Sequence, residues 1–477
     1  MAPQSRLIWS TRQVLLIGHN LPCVLYQSMG YNRNMNASRD KMDTWSPDVT
    51  YVIGHQRPDT DAIAAALGYA WYLQQIGQED VVAARAGQPN EQAAFVLERF
   101  EQPPPRLLTG VAPTFGHAAT PQKTVPPDAA LPAAMARVAE GDRVIPVVDE
   151  NGKPVGVVTS LALARAYTAP VNVTVMLAQP CREIATHAPT FFEHDRISDH
   201  RNALLRSETD DFLVVSATGQ YVGIATRRVI LNPPRARLFL VDHNEIAQAV
   251  PDADEAEIVG VLDHHRLGNA PTALPIPFVI DPVGSTSTLV AEKCQARNLT
   301  PPASLAGVLL SGILSDTLLF RSPTATERDE KVALWLAQLA RIEIVPYGEE
   351  LLRAAPGLAA RSADEILDAD RKAYQMGGSP VSIAQVEVTG FQELPDRREE
   401  ILEAMQTRLN REGLSLIALM ITDVITGRSR LLCQGENRIL AALPFTRISN
   451  HEYDLEDIVS RKKQLVPTLL AILNDMA

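Results

Sequence analysis

Val49-Thr50-Tyr51-Val52-Ile53-Gly54-His55-Gln56-Arg57-Pro58-Asp59-Thr60-Asp61-Ala62 decides how the rest of the chain is read. The run Val49 to Ile53 reads as a buried strand, and Ile63, Leu67 and Trp71 at helical spacing read as the inner face of the helix that follows. Between them lies a turn carrying one imidazole and two carboxylates. Pro58 keeps Arg57 out of the helical region and so fixes the turn, which lets His55, Asp59 and Asp61 converge on a point beyond the strand end. That is a cation site in outline. Imidazole with carboxylate suits Mn, Fe, Co or Zn better than Ca, and no nearby Cys argues for a structural zinc. The same Asp-Thr-Asp also meets the ordinary demand for helix N-capping.

Three later segments repeat the pattern. Leu238 to Val241 leads into Asp242-His243-Asn244-Glu245, Ile258 to Leu262 into Asp263-His264-His265, and Leu309 to Leu314 into Ser315-Asp316-Thr317. Each sets an acid or a His directly after an apolar run, where an open parallel sheet presents its active site. Val49 to Pro104 alternates strand, helix, strand (Asp80 to Ala84) and helix (Glu91 to Phe100), the start of such a sheet. The prolines at 103–105 and from Pro113 to Pro127 then break the rhythm.

Between that break and Pro233-Pro234 lies an internal repeat. Val147 to Thr159 recurs as Val214 to Thr226, each copy reading as strand, glycine turn, strand, with helices on either side. This resembles a tandem pair of CBS domains, a module that commonly holds adenine nucleotides in the cleft between its halves. The family's usual ribose-binding Asp, three residues after the Thr, is replaced here by Ala162 and Val229. The resemblance therefore points to Thr159, Thr226, Arg227 and Arg228 as the nucleotide-facing residues, the two arginines meeting phosphates. A structural or dimerising role for the repeat is the plainer alternative, since a fold by itself names no ligand.

After Pro234 the strand-and-motif rhythm resumes, so the repeat is inserted into one α/β domain. A strand at Pro277 to Ile280 leads to a helix opening with Ser285-Thr286-Ser287, where hydroxyls favour an anion or simply cap the helix. Helices from Leu305 to Leu314 and Thr326 to Leu339 cover the sheet. Tyr347 to Arg361 reads as a hinge. The last domain is expected to hold a helix ending near Gly377-Gly378, the strand Val381 to Val388, a helix from Glu399 to Asn410 and strands at Leu416 to Ile421 and Ser429 to Cys433.

The chain has 477 residues, enough for two to four domains, and a net charge of −12 that speaks against general binding to nucleic acid or anionic membrane. Cys23, Cys181, Cys294 and Cys433 form no metal-binding spacing, as expected of reduced thiols in the cytoplasm. Val14 to Gly18 is too short an apolar run for a signal peptide, and no membrane span is expected. Residues 1–45 read as an extension outside the folded core, with Met35 and Met42 as candidate starts and His19 and Cys23 as bystanders.

In order, Gly-His-x-x-Pro-Asp-Thr-Asp from Gly54, Val241-Asp-His-Asn-Glu, Asp263-His-His, Ser315-Asp-Thr and Ser460-Arg-Lys-Lys resemble the DHH superfamily, and within it the metal-dependent family II inorganic pyrophosphatases. Asp370-Arg-Lys372-Ala-Tyr374 adds to the match, with Tyr374 where the family usually has Phe. The resemblance implies an α/β fold: a parallel-sheet DHH domain in two parts, 46–112 and 236–350, interrupted by the CBS pair at 113–235 (113–172 and 173–235). A hinge at 351–361 and a smaller DHHA2-like α/β domain at 362–477 follow.

It further implies that His55, Asp59 and Asp242 hold one Mn or Co ion, and that Asp61, Asp242, His264 and Asp316 hold the second, with Mg as an additional ion. A hydroxide between the two metals then attacks phosphorus. Asp263 orients a neighbouring imidazole, His265 contacts substrate and donates to the oxygen linking the phosphoryl groups, and Lys372, Arg461 and Lys462 neutralise and orient pyrophosphate. His243 reads as a satisfied structural histidine. AMP, ADP or ATP would regulate the enzyme through the CBS pair, and a homodimer is implied. Two rivals stand beside this reading. One is a DHH phosphodiesterase or exopolyphosphatase acting on a nucleotide, cyclic dinucleotide or short polyphosphate; the other is an adenine-nucleotide sensor with a vestigial phosphatase core.

Overall fold

The computed structural model describes residues 45–475 apart from 269–271, 273, 356 and 425, so the expectations for residues 1–44, including His19 and Cys23, lie outside the described residues. The described part of the chain falls in one compact unit.

Its first sheet is built from β1 (Thr50–Ile53), β2 (Val81–Arg85), β3 (Arg106–Leu107), β9 (Arg237–Val241), β10 (Glu257–Asp263) and β11 (Phe278–Ile280), every neighbouring pair parallel. The spatial order is β11-β10-β9-β1-β2-β3. Strand β1 is buried along its whole length, which explains its unbroken apolar run. Val52, Phe239, Val241 and Leu262 face the helices Thr60–Gln75, Thr286–Ala296 and Ala303–Asp316. Tyr51, Ile53, Leu238, Leu240 and Val261 face the opposite way, against Trp45, Leu108, Val111 and Val250. The chain leaves β1 toward β3 on one side and returns at β9 on the other, so the order in which strands are added reverses between β1 and β9. A crevice beyond the carboxyl ends of the strands opens at such a reversal.

The insert lies between β3 and β9. Its two halves each contain an antiparallel hairpin, β4 (Val144–Val148) with β5 (Pro154–Thr159), and β7 (Asp211–Val215) with β8 (Tyr221–Thr226). A short β6 (Thr190–Phe192) runs parallel to β7. Each half has its own core, one around Leu131 and Ile145, the other around Phe115 and Phe212. A third cluster of Val144, Val157, Leu213 and Ile224 joins them, so the repeat read in the sequence is also a repeat in space. The insert meets the first domain through an Arg196–Asp252 ion pair and through the His117 ring stacked on Trp45.

The last domain is one mixed sheet of β12 (Lys372–Met376), β13 (Ser379–Val388), β14 (Leu416–Asp423), β15 (Arg428–Gly435), β16 (Thr446–Ser449) and β17 (Glu452–Asp454), in the order β12-β13-β14-β15-β17-β16. The central β14 is buried at all eight positions, with the helix Leu394–Glu412 packed on one face and Val466–Asp475 on the other.

Two expectations need correction. The segment before Gly377-Gly378 is the strand β12, not a helix: both glycines take positive φ (56° and 76°) and close a tight β12–β13 hairpin. Helix Ile344–Arg353 also runs into the expected hinge, so the connection starts only at Ala354.

Candidate metal centre

His55 follows Gly54, and the reason is space. A Cβ on Gly54 would lie 2.7 Å from the Ala62 Cβ, so only glycine lets the turn fold back onto the helix start. Asp59 then caps the helix, its Oδ1 accepting from the Ala62 amide at 2.9 Å, while its Oδ2 stays 3.3 Å from His55 Nε2. Capping and cluster-building are thus two uses of one side chain. Asp242 ends β9 in the left-handed region (φ 61°), a conformation that costs energy for a residue with a side chain and is concentrated at functional sites. Its Oδ2 lies 3.5 Å from His55 Nε2 and its Oδ1 3.4 Å from His264 Nε2. Asp316 Oδ2 is 3.6 Å from the same His264 nitrogen.

Ligand-capable atoms therefore gather in two sets that share Asp242: His55 with Asp59, and Asp61 with His264 and Asp316, all atoms of each set within 4.8 Å of one another. A third grouping, Asp242 with His264 and His265, also meets that distance. In it His265 Nδ1 is already engaged by Asp263 Oδ1 at 2.9 Å. Asp316 sits at the C-terminal end of the expected helix, which runs from Ala303 to Asp316, and Leu318, Leu319 and Phe320 beyond it all take positive φ (49°, 55° and 64°). Three successive left-handed residues store strain directly beside the cluster.

Asp61 has no exposure, yet it is well held. Its Oδ1 accepts from Ser285 Oγ (2.7 Å), the Ser287 amide (3.0 Å) and Ser287 Oγ (2.5 Å), and its Oδ2 from the Thr286 amide (2.6 Å). The anion at the N-terminus of the helix Thr286–Ala296 is thus the protein's own carboxylate. Thr286 Oγ1 also donates to Asp242 Oδ1 at 3.1 Å. Gly312 makes room for this cradle, since a Cβ there would fall 2.4 Å from Ser287 Oγ.

Burial and crowding of like charge set the protonation of these groups. Burial, with the neighbouring Asp242 charge, pushes Asp61 up to about 7 against the pull of its serine donors. Asp316 is driven well above the carboxylate range by burial and by Asp61, Asp59 and Asp242. Burial works against charge on Asp242, but His264 and His55 overcome it and hold the carboxyl below its usual range. The same contacts outweigh burial at the imidazoles, raising His55 to about 10 and His264 to about 9.

This set fits divalent cations. His264 Nδ1 is tied to the Val283 carbonyl at 3.1 Å, so in the neutral ring Nε2 turns its lone pair toward Asp242 and Asp316, and that buried nitrogen has no hydrogen-bond partner. A lone pair aimed at two carboxylates calls for a positive charge between them, and imidazole plus carboxylate suits Mn, Fe, Co or Zn.

Around the cluster, Asp263 is fully buried and receives the His264 and His265 amides, His265 Nδ1 and the Asn244 side-chain amide (2.6 Å). It therefore orients His265 and leaves that ring's Nε2 free on an exposed side chain. His243 Nδ1 contacts the Val241 carbonyl at 2.9 Å, while its buried Nε2 has no partner, and burial lowers its pKa to about 4. It is a neutral buried histidine with one contact made and one open.

The distal basic residues divide. Lys372 and Lys462 are exposed and make no ion pair among the described residues. Arg461 is buried in a wide turn at Arg461–Leu465 and clasps the carboxylate and backbone carbonyl of Asp370. No hydrogen bond or ion pair joins these three residues to the carboxylate cluster among the described residues. A cleft of about 360 Å³ separates the domains, lined by Gln92, Ser315 and Asp316 on one wall and by Arg361, Glu387 and Thr389 on the other. In the insert, Thr159 caps its helix through the Ala162 amide (3.1 Å), while Arg227 is tied to Asp210 and to the Ser207 and Thr209 carbonyls; Arg228 alone of the arginine pair is exposed.

Sequence reasoning missed Gln92 and Asn244, whose neighbourhoods are made entirely by distant residues. The Ser285-Thr286-Ser287 run did carry a signal, a hydroxyl cluster at a helix start, but not the identity of its anion.

A parallel α/β domain with an acid-and-histidine crevice, followed by a mixed-sheet domain, is the class that the family comparison recovers. Residues 49–313 match the DHH family N-terminal domain and 349–472 match the DHHA2 domain. The chain is 39% identical over 254 residues to a protein of Streptococcus equi subsp. zooepidemicus named "Probable manganese-dependent inorganic pyrophosphatase", a match spanning 52% of this chain and 81% of the relative. This chain belongs to the DHH family, among the manganese-dependent inorganic pyrophosphatases. Of solved structures, a Methanococcus jannaschii protein titled "putative family II inorganic pyrophosphatase" aligns over 89% of this chain and all of its own, at 26% identity and a TM-score of 0.48. CBSX2 in complex with AMP aligns over 25% of this chain and 93% of its own, at 23% identity and a TM-score of 0.23.

Proposed function

We propose that this chain hydrolyses inorganic pyrophosphate to two phosphates, with His55, Asp59 and Asp242 holding one Mn or Co ion and Asp61, Asp242, His264 and Asp316 the other. The observation that carries the reading is Asp242, one buried carboxylate whose two oxygens face two separate donor sets. Divalent ions bound there supply Lewis acidity toward phosphoryl oxygens and acidify the attacking water.

The chain's own residues do the rest. The Ser285–Ser287 cradle holds Asp61 in place, so the donor set is preorganised. Asp263 fixes His265 with Nε2 outward, where it donates to the oxygen that leaves as water attacks phosphorus in line and the P–O–P bond breaks. Lys372 and Lys462 meet the negative charge as point charges, and Arg461 turns its planar fork to substrate as its clasp on Asp370 opens. Mg would be an additional ion.

The finer parts of the reading are regulation by AMP, ADP or ATP at the insert, a homodimer, and a cytoplasmic setting. The two-copy insert supports the first, with Thr159 and Thr226 opening matching helices and Arg228 as the exposed cation. Exposed Leu161, Tyr167, Val173 and Val175 support self-association, and buried free Cys181, Cys294 and Cys433 suit a reducing compartment. No helix among the described residues is long and apolar enough to cross a membrane.

Phosphate release from pyrophosphate by Mn-loaded protein, with and without AMP or ATP and beside a cyclic dinucleotide, tests the assignment. Fast release supports it, a rate that moves with nucleotide supports the regulatory part, and turnover of the cyclic dinucleotide alone replaces the reading with that of a phosphodiesterase.

A further inference from the structure

Gln92 is a polar side chain with 6% exposure in a helix that carries none of the proposed ion ligands. Its Oε1 accepts from Thr60 Oγ1 and from Ser315 Oγ, each at 2.7 Å, and its Nε2 donates to the Leu351 carbonyl at 3.0 Å. The amide can point only one way, because a carbonyl at Leu351 demands the nitrogen and the oxygen is then left for the two hydroxyls. Thr60 lies between Asp59 and Asp61, Ser315 precedes Asp316, and Leu351 belongs to the helix Ile344–Arg353 that leads into the interdomain connection. One buried side chain therefore touches the carrier of the first turn's carboxylates, the carrier of Asp316, and the last helix before the second domain. It also lines the interdomain cleft.

We infer that Gln92 is a positioning residue: it sets the spacing between the Asp59–Asp61 turn and Asp316, and it ties that spacing to the helix from which the second domain hangs. The inference rests on the reading of these carboxylates as ion ligands and of pyrophosphate as substrate. Burial explains why the link holds. The bonds to Thr60 and Leu351 are buried and the bond to Ser315 half-buried, so water competes little for them, and each buried partner would be left unpaired if the amide were lost. A residue that only filled space would need none of the three polar contacts, and its helix already has a separate anchor in the Asn90 cap.

The test uses the full chain, stripped of metal with a chelator, as wild type and as Gln92→Leu, Ser315→Ala and Thr60→Val. Mn affinity is measured by titration calorimetry, and kcat and KM with pyrophosphate as substrate. Gln92→Leu is expected to weaken Mn binding about tenfold and lower kcat about tenfold, while KM stays within about twofold because Lys372, Arg461 and Lys462 are untouched. Ser315→Ala and Thr60→Val each remove one arm and should move both quantities the same way by less; they carry the test if Gln92→Leu does not fold. Folded Gln92→Leu with Mn affinity and kcat within about twofold of wild type, and only a lower Tm, would reduce the residue to a structural role and overturn the inference. Wild-type protein that binds Mn but leaves pyrophosphate intact would sink the substrate assignment instead, and the Mn titrations would still decide for or against Gln92.

Discussion

Replacing Asp242 by Asn changes almost no volume and removes the one charge that both donor sets share. The carboxylate has 1% exposure and lies 3.5 Å from His55 and 3.4 Å from His264, with a hydroxyl donor from Thr286 at 3.1 Å. Removing one partner from a buried charge cluster costs about 3–5 kcal/mol. At about 1.4 kcal/mol per decade this weakens each ion by roughly 10²- to 10⁴-fold. Both ions are affected, so protein passed through a desalting column in Mn-free buffer should retain fewer than two ions, and phosphate release should fall by at least about 10³-fold, as expected when a two-metal site is broken. Elemental analysis of the desalted protein and a phosphate assay on the same sample read out both. If Asp242→Asn keeps two ions with unchanged affinity, the carboxylate is not shared and the geometric argument fails, whatever the activity does.

Three further outcomes are expected. His265→Ala should lower kcat by about 10²- to 10⁴-fold with the ion count unchanged, because its Nδ1 belongs to Asp263; a lost ion would make it a ligand instead. Arg461→Lys keeps the charge but loses the fork clasping Asp370, and should raise KM for pyrophosphate about tenfold without altering Mn affinity by calorimetry. In chelator-stripped protein, Asp61 is raised from 3.8 to about 7 and His264 from 6.5 to about 9, so the folded state keeps protons the unfolded chain releases. That stability is present at low pH and lost as pH climbs through about 7 and then 9, with up to about 1.4 kcal/mol per pH unit for each proton by which the two states differ. Calorimetric melting should therefore show Tm falling from pH 6 to pH 9; a rise would refute the shifts.

The proposed ligands could be read from sequence because each stands next to an apolar run, and a strand end in a parallel sheet is where side chains from separate segments meet. Asp316 reaches the cluster by a different route: Leu309 to Leu314 is apolar because it lies in a buried helix, and the end of that helix, not a strand end, delivers the acid. β12 was hidden by its exposure. Lys372, Ala373 and Gln375 are exposed on an outer strand, so no apolar alternation marks it, and only the left-handed glycines after it betray the hairpin. Gln92 left no trace because its partners are 32, 223 and 259 positions away. Arg461 stands in a run of three basic residues, yet pairing with Asp370 buries it and leaves only its lysine neighbours in water, a difference that the run itself does not show.

The placement of the insert also has a consequence for how the molecule comes into being. Strand β1 pairs with β9, and Asp61 meets Thr286 across 225 positions of chain, so the first domain cannot close until the whole insert has been synthesised. Contacts over such distances form late, because the entropy of closing the intervening loop must be met first. An insert that collapses early on its own two cores shortens that loop and brings β9 back toward β1. On the ribosome, the segment that separates the two halves of the domain would thereby act as the splint that reunites them, and the carboxylates would find one another only after it has folded.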